Sequence, residues 1–138
     1  MRMPFLFLFA SFFSFAPISQ SVSTPSKLGD YTLSLSVEDL SRSKSFYEKL
    51  GFEPIEGMGG IEQKWVLLTN GSTNIGLFQG MFPSNTISFQ SEDARSIYQA
   101  LKQEGLEMAF ELGLDQSEGP CSFSLLDPDG NPILIDQH

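Results

Sequence analysis

The stretch LLDPDGNPILIDQH, residues 125–138, holds the densest set of chemistry-bearing side chains in the sequence. Asp127, Asp129 and Asn131 share the D-x-D-x-N spacing with which a calcium loop begins. Such a loop needs Gly at its sixth position and Glu at its twelfth, whereas Pro132 stands at the sixth and no Glu closes it. The same residues are turn chemistry: Pro128 sets φ, Asp carboxylates accept backbone N–H groups and Gly130 admits a positive φ. A turn is therefore expected. Asp136 and His138 are too near a fraying terminus to make a closed metal site. Cys121 is the only cysteine and His138 the only histidine. In the apolar run CSFSLL a lone thiol is expected as a small core residue rather than a nucleophile. No residue is assigned a catalytic role.

Composition narrows the classes of function. Seventeen acids against eight bases give a net charge of −9, and the bases are scattered, which argues against nucleic acid, whose binding needs clustered Lys and Arg. With one cysteine no internal disulfide can form. Residues 4–16, PFLFLFASFFSFA, carry six of the thirteen phenylalanines behind Arg2, with no further charge until Lys27. A positive start, an apolar run and small residues at Ser19 and Ser21 are the parts of a secretory signal peptide over residues 1–21. The run is shorter than the roughly 20 apolar residues of a membrane span, so no stable membrane anchor is expected after processing. The protein is then exported, periplasmic or extracellular. If residues 1–21 are an uncleaved anchor or a spurious extension, the alternative location is cytoplasmic. Residues 22–29 read as a linker and residues 30–138 as a single domain.

That domain is written twice. TLSLSVEDLSRSKSFYEKLGFE at 32–53 aligns with TISFQSEDARSIYQALKQEGLE at 86–107 without a gap, at an offset of 54. Each copy opens with period-two alternation, which predicts a strand with one apolar and one polar face. Asp39 and Asp93 are expected N-caps, and Gly51 and Gly105 expected left-handed residues after helix ends. Pro54 confines FEPIE to a sheet edge, and Asn70-Gly71 predicts a hairpin between KWVLLT and TNIGLF. LEMAFEL, CSFSLLD and PILID follow the second helix. MGG at 58–60 and GLDQSEG at 113–119 read as Gly-rich loops over the mouth of a site. The pattern is βαβββ, twice, with module 1 at 30–82 and module 2 at 84–138.

With this repeat and the closing LDPDGNPILI, the chain resembles the vicinal oxygen chelate superfamily, which includes glyoxalase I, extradiol dioxygenases, and bleomycin- and fosfomycin-resistance proteins. The resemblance covers roughly residues 30–137. It implies an α+β fold in which two βαβββ modules form a cup-shaped, roughly eight-stranded mixed sheet with helices outside. In metal-using members four strands each present one ligand to the cup. The family's H-x-x-x-x-V-x-D pattern places the first at Thr32, with Thr86 matching it in the second copy. D-P-x-G-x-x-x-E places another at Leu134, and the fourth falls on Gly76. These residues are poor ligands for a divalent transition metal, or none at all, so neither metal nor cofactor is expected.

Alternation then puts Thr32, Ser34, Thr86, Ser88 and Leu134 inside the cup, joined by Gly76, Phe78 and Asp136. Trp65 and Phe82 are aromatic surfaces that either stack on a ligand or serve as core or dimer contacts. The expected ligand-binding residues are thus Thr32, Ser34, Trp65, Gly76, Phe78, Thr86, Ser88, Leu134 and Asp136. The favoured function is metal-independent binding of a small molecule, cationic or aromatic, similar to the bleomycin-resistance branch. The alternatives are a glyoxalase-type lyase or isomerase, either with displaced, non-standard metal ligands or using Asp136 with Glu56 or Glu62, and a non-catalytic dimeric interaction module. A homodimer is expected, with GLFQGMFP at 76–83 a possible contact surface.

Overall fold

The computed structural model describes residues 27–138; the Phe-rich start and the signal-peptide reading lie outside the described residues. The elements are β1 (Asp30–Val37), α1 (Leu40–Lys49), β2 (Glu53–Gly60), β3 (Trp65–Asn70), β4 (Thr73–Gln79), β5 (Thr86–Gln90), α2 (Ala94–Gln103), β6 (Phe110–Leu112), β7 (Cys121–Leu126) and β8 (Pro132–Gln137). They form one eight-stranded sheet in the order β2-β3-β4-β1-β5-β8-β7-β6. Within each module the first strand runs parallel to the last, β1 beside β4 and β5 beside β8. The modules join through antiparallel pairing of β1 with β5.

Internal symmetry explains that junction. Residues 54 apart are equivalent, and the one such pair set directly opposite each other is Leu33 and Ile87. The pseudo-two-fold axis therefore passes through this pair. Ser34 and Ser88, also equivalent, meet beside it with their hydroxyls 2.8 Å apart.

Both helices begin and end as the repeat requires. Asp39 accepts from Arg42 N–H and Asp93 from Ser96 N–H, each at 3.0 Å. A second cap comes from the last strand of each module: Gln79 Oε1 accepts from Leu40 N–H at 2.9 Å, and Gln137 Oε1 from Ala94 N–H at 2.8 Å. Gly51 and Gly105 have φ of +98° and +83°. Beyond them Phe52 N–H reaches Tyr47 O and Leu106 N–H reaches Leu101 O, at 3.1 Å each, which closes both helices in the same paired cap. The Tyr47 and Phe52 rings pack edge-to-face there, 5.9 Å apart.

Each module owns its core. Leu40 of α1 packs with Val66, Leu68, Ile75 and Leu77, while Ala94 and Ile97 of α2 pack with Cys121, Phe123, Leu125 and Ile135. Cys121 is accordingly a buried core residue. Both clusters use one parity of the strands, so the helices cover the outer face and the other parity lines the concave face. Among the described residues no helix is long and apolar enough to cross a membrane.

Three local expectations are corrected. MGG at 58–60 is not a loop: it is the end of edge strand β2, which resumes pairing with β3 after a bulge between Pro54 and Gly59. The β3–β4 hairpin turns on Gly71-Ser72, because Asn70 still pairs with Thr73. The segment after α2 contributes only the three-residue strand β6, all of it exposed. GLDQSEG is a loop, but Arg95 of α2 holds it, donating to the carbonyls of Gln116, Gly119, Gly113 and Glu118 at 2.6, 2.9, 2.9 and 3.2 Å.

Candidate ligand-binding cup

The concave face carries a cavity of about 330 Å³. Its floor is built from β1, β5 and β8, where Thr32 stands opposite Ser88 and Ser88 beside Leu134. Ser34 is buried and bonded to Ser88, leaving Thr32 and Ser88 as the more accessible hydroxyls. One wall is aromatic. Trp65 of β3 and Phe78 of β4 stand in register and stack, with centroids 6.1 Å apart and planes 10° apart. Phe82 meets Phe78 edge-on at 4.9 Å. The other end is polar and acidic, with Asp30, Gln90, Asp136 and His138. Asp136 accepts from the Ser122 hydroxyl at 2.6 Å, and its second oxygen lies 3.0 Å from His138 Nε2. Asp30 and Ser36 are six residues apart on β1, and Phe78 pairs with Ser36. The Phe78 ring folds back over Gly76, whose neighbour on β1 is Ser34, so the ring stands about 13 Å from the acidic end along the strand.

A strap over residues 80–85 joins β4 to β5 across the cup. It crosses β1 at Ser36, whose hydroxyl donates to Phe82 O at 2.7 Å and whose N–H donates to Asn85 Oδ1 at 3.1 Å. Pinned there, the strap drops Phe82 and Met81 into the cup as one border of the cavity.

Of the residues expected from sequence, Thr32, Ser34, Trp65, Phe78, Ser88, Leu134 and Asp136 line this cavity together. Gly76 and Thr86 do not. Gly76 has the right parity, but the Phe78 ring and Leu67 lie over it: a Cβ built there would sit 2.4 Å from Phe78 Cε2 and 2.9 Å from Leu67 Cδ2. Thr86 is buried beneath the strap, donates to Ser84 O at 3.1 Å and borders a second hollow instead. Glu56 and Glu62 are exposed and do not line the cavity. The loop at 113–119 contributes nothing to it, whereas Met58 does, reaching in from β2. In GLFQGMFP, Gly76 and Leu77 are buried in β4, and only Gly80, Met81 and Pro83 of the strap are exposed.

Asp30, Gln90, His138 and Leu67 were missed, although alternation carried two residues beyond Thr32, Ser88, Asp136 and Trp65 reaches each. Met58 belongs to the MGG stretch expected over the mouth, but it enters from a bulged strand rather than a loop, and the strap brings in Met81, which alternation does not reach.

The four positions at which family resemblance would seat metal ligands do not fit a divalent ion. Thr32 and Thr86 offer neutral hydroxyls, Leu134 offers nothing, and the space at Gly76 is filled by a phenyl ring. Among the described residues no three His, Cys, Asp or Glu side chains converge as a metal site would need. The Asp127 turn also closes on itself. Asp127 Oδ1 accepts from Asp129 N–H at 2.9 Å and Asn131 N–H at 2.8 Å, and Oδ2 accepts from the Asn131 amide at 2.7 Å. The Asn131 side-chain bond first, then these backbone N–H groups, hold its carboxyl below the usual carboxylate range.

The sequence model of the Glyoxalase/Bleomycin resistance protein/Dioxygenase superfamily matches residues 29–135. The chain belongs to this superfamily, the vicinal oxygen chelate group whose paired βαβββ modules the sheet reproduces. Similar solved structures include a superfamily member from Vibrio splendidus 12B01, with TM-score 0.58 and 18% identity over 79% of this chain and 98% of that one. A structure described as an NAD-dependent benzaldehyde dehydrogenase from Legionella pneumophila has TM-score 0.61 and 18% identity over 78% and 98%. Methylmalonyl-CoA epimerase from Mycobacterium tuberculosis has TM-score 0.56 and 13% identity over 77% and 85%. At these identities the likeness is one of fold. No match is found among curated proteins.

Proposed function

We propose that the protein is a metal-independent binder of a small cationic aromatic molecule, held in the cup without chemical change. One observation carries the reading: a single cavity combines the Trp65–Phe78–Phe82 aromatic wall with Asp30 and Asp136 at its far end. An aromatic face attracts a cation through its quadrupole, and a partly desolvated carboxylate adds a charge partner. The acid–base alternative gains no support from Glu56 and Glu62, which lie outside the cavity. Asp136 is the one member of that set inside it, already engaged by Ser122 and His138.

Trp65 is the only tryptophan, so intrinsic fluorescence reports on the site directly. Titration with benzyltrimethylammonium should quench or shift Trp65 emission saturably. Asp136→Asn should weaken binding by roughly two- to fivefold, the worth of a partly exposed ion pair. Absence of saturable change up to millimolar probe, with the protein folded by circular dichroism, would refute the reading.

A further inference from the structure

The cavity is not the whole of the concave face. Beyond the strap lies a second hollow of about 420 Å³, sharing Met81, Phe82 and Leu134 with the first. Its own lining includes Pro132, Phe110 and Leu126. Phe110 and Leu126 are 47% and 56% exposed, large apolar side chains that nothing in the described residues covers. The asymmetry of the repeat explains why. In module 1 the edge strand β2 has eight residues and brings Met58 over the cup; its counterpart β6 has three and leaves the rim open.

The two hollows lie along one track. On β8 the inward-facing residues run Asp136, Leu134, Pro132, at a period of two. The first borders the acidic end, the second is common to both hollows, and the third lines the apolar one. On β5 the matching series is Gln90, Ser88, Thr86. Polarity therefore falls along the strands from the carboxylates to a level shared by the aromatic wall on β4 and the aliphatic pocket on β8, with Phe82 bordering both.

We infer that the ligand is a cationic amphiphile: its charged head lies by Asp30 and Asp136, its aromatic ring against Trp65 and Phe78, and its apolar tail passes Phe82 into the hollow of Phe110 and Leu126. The inference rests on the binding function proposed above and extends it to the tail. A second copy of the chain could cover the same patch, but the continuity through Leu134 and Phe82 favours one elongated molecule.

The experiment uses the full chain and a series of 4-alkylbenzyltrimethylammonium salts, from no alkyl group to octyl, below their micelle concentrations. Affinity is read from Trp65 fluorescence and calorimetry. Each added methylene should tighten binding about three- to fourfold until the hollow is filled, after which affinity levels off. Leu126→Gln, a change at an exposed position, should flatten that dependence.

Each contrary result has a distinct meaning. If the unsubstituted salt binds but affinity does not rise with chain length, the tail site is wrong and the binding function stands. A rise that survives in Leu126→Gln puts the tail elsewhere and overturns the inference. Failure of every member to bind removes both readings. If light scattering shows a dimer that Leu126→Gln converts to monomer, and chain length has no effect, the hollow is a subunit contact and the inference falls.

Discussion

Gly76 and Phe78 act as one device. The ring occupies the space that any side chain at 76 would need, and in that position it can stack on Trp65. Gly76→Ala should force the ring and Leu67 aside, costing about 1–3 kcal/mol as an overpacked site and changing the Trp65 emission maximum. Urea unfolding and fluorescence measure both; unchanged emission would mean that the ring is held by something other than this vacancy. Asp127 makes a second test at this scale. Its folded-state acidity is raised by bonds to the charged form, so it contributes stability above the unfolded value of about 3.9, and loses it as pH falls through the lower folded value. Asp127→Asn should therefore lower Tm at pH 7, and the gap from wild type should shrink as pH drops below about 4. A gap independent of pH would contradict the charged-turn account.

Elements are joined here by side chains acting on backbone. Gln79 and Gln137 tie each helix start to the last strand of its own module, so a helix and a strand are positioned together. Asp93 caps α2 doubly, bonding the hydroxyl of Ser96 as well as its N–H; the hydroxyl is the larger cause of its lowered pKa. Arg95, the second residue of α2, holds the loop before β7. Arg95→Met keeps the stem and removes the donors. Amide exchange across residues 113–119 should then accelerate at least about tenfold, the worth of one charge-assisted bond of about 1.5 kcal/mol, while β1 stays protected. Equal acceleration in β1 would show that the loop supports the whole sheet. Because this loop lies off the cavity, binding of the benzyl probe should be unaffected.

At the scale of the molecule, two cores of similar design face outward and one cup faces inward. The axis through Leu33 and Ile87 sets the floor, and the strap breaks the symmetry by dividing the concave face into unequal halves. The donor set at Thr32, Gly76, Thr86 and Leu134 leads to a prediction about metals. A ligand bound only by the folded state raises Tm in proportion to the logarithm of its concentration over its Kd. Zinc, nickel, manganese or iron(II) at millimolar concentration should therefore give no saturable rise in Tm, and elemental analysis of protein from its native host should find none stoichiometric. One ion per chain in the cup would overturn the passive-binder view.

The sequence by itself determined the fold: period-two strands, Asp caps, glycines after the helices and the 54-residue repeat are local rules, each satisfied by neighbouring residues. It also determined the inward parity of Thr32, Ser34, Ser88 and Asp136, because a strand has only two faces. What only the tertiary structure decided was which inward positions remain open. Alternation cannot show that Phe78 folds over Gly76, that the strap buries Thr86, or that a bulge turns Met58 into the cup. Nor can it show that His138 meets Asp136. These are contacts between segments far apart in the chain or free to choose among rotamers, and their outcome depends on packing rather than on any residue's own preference.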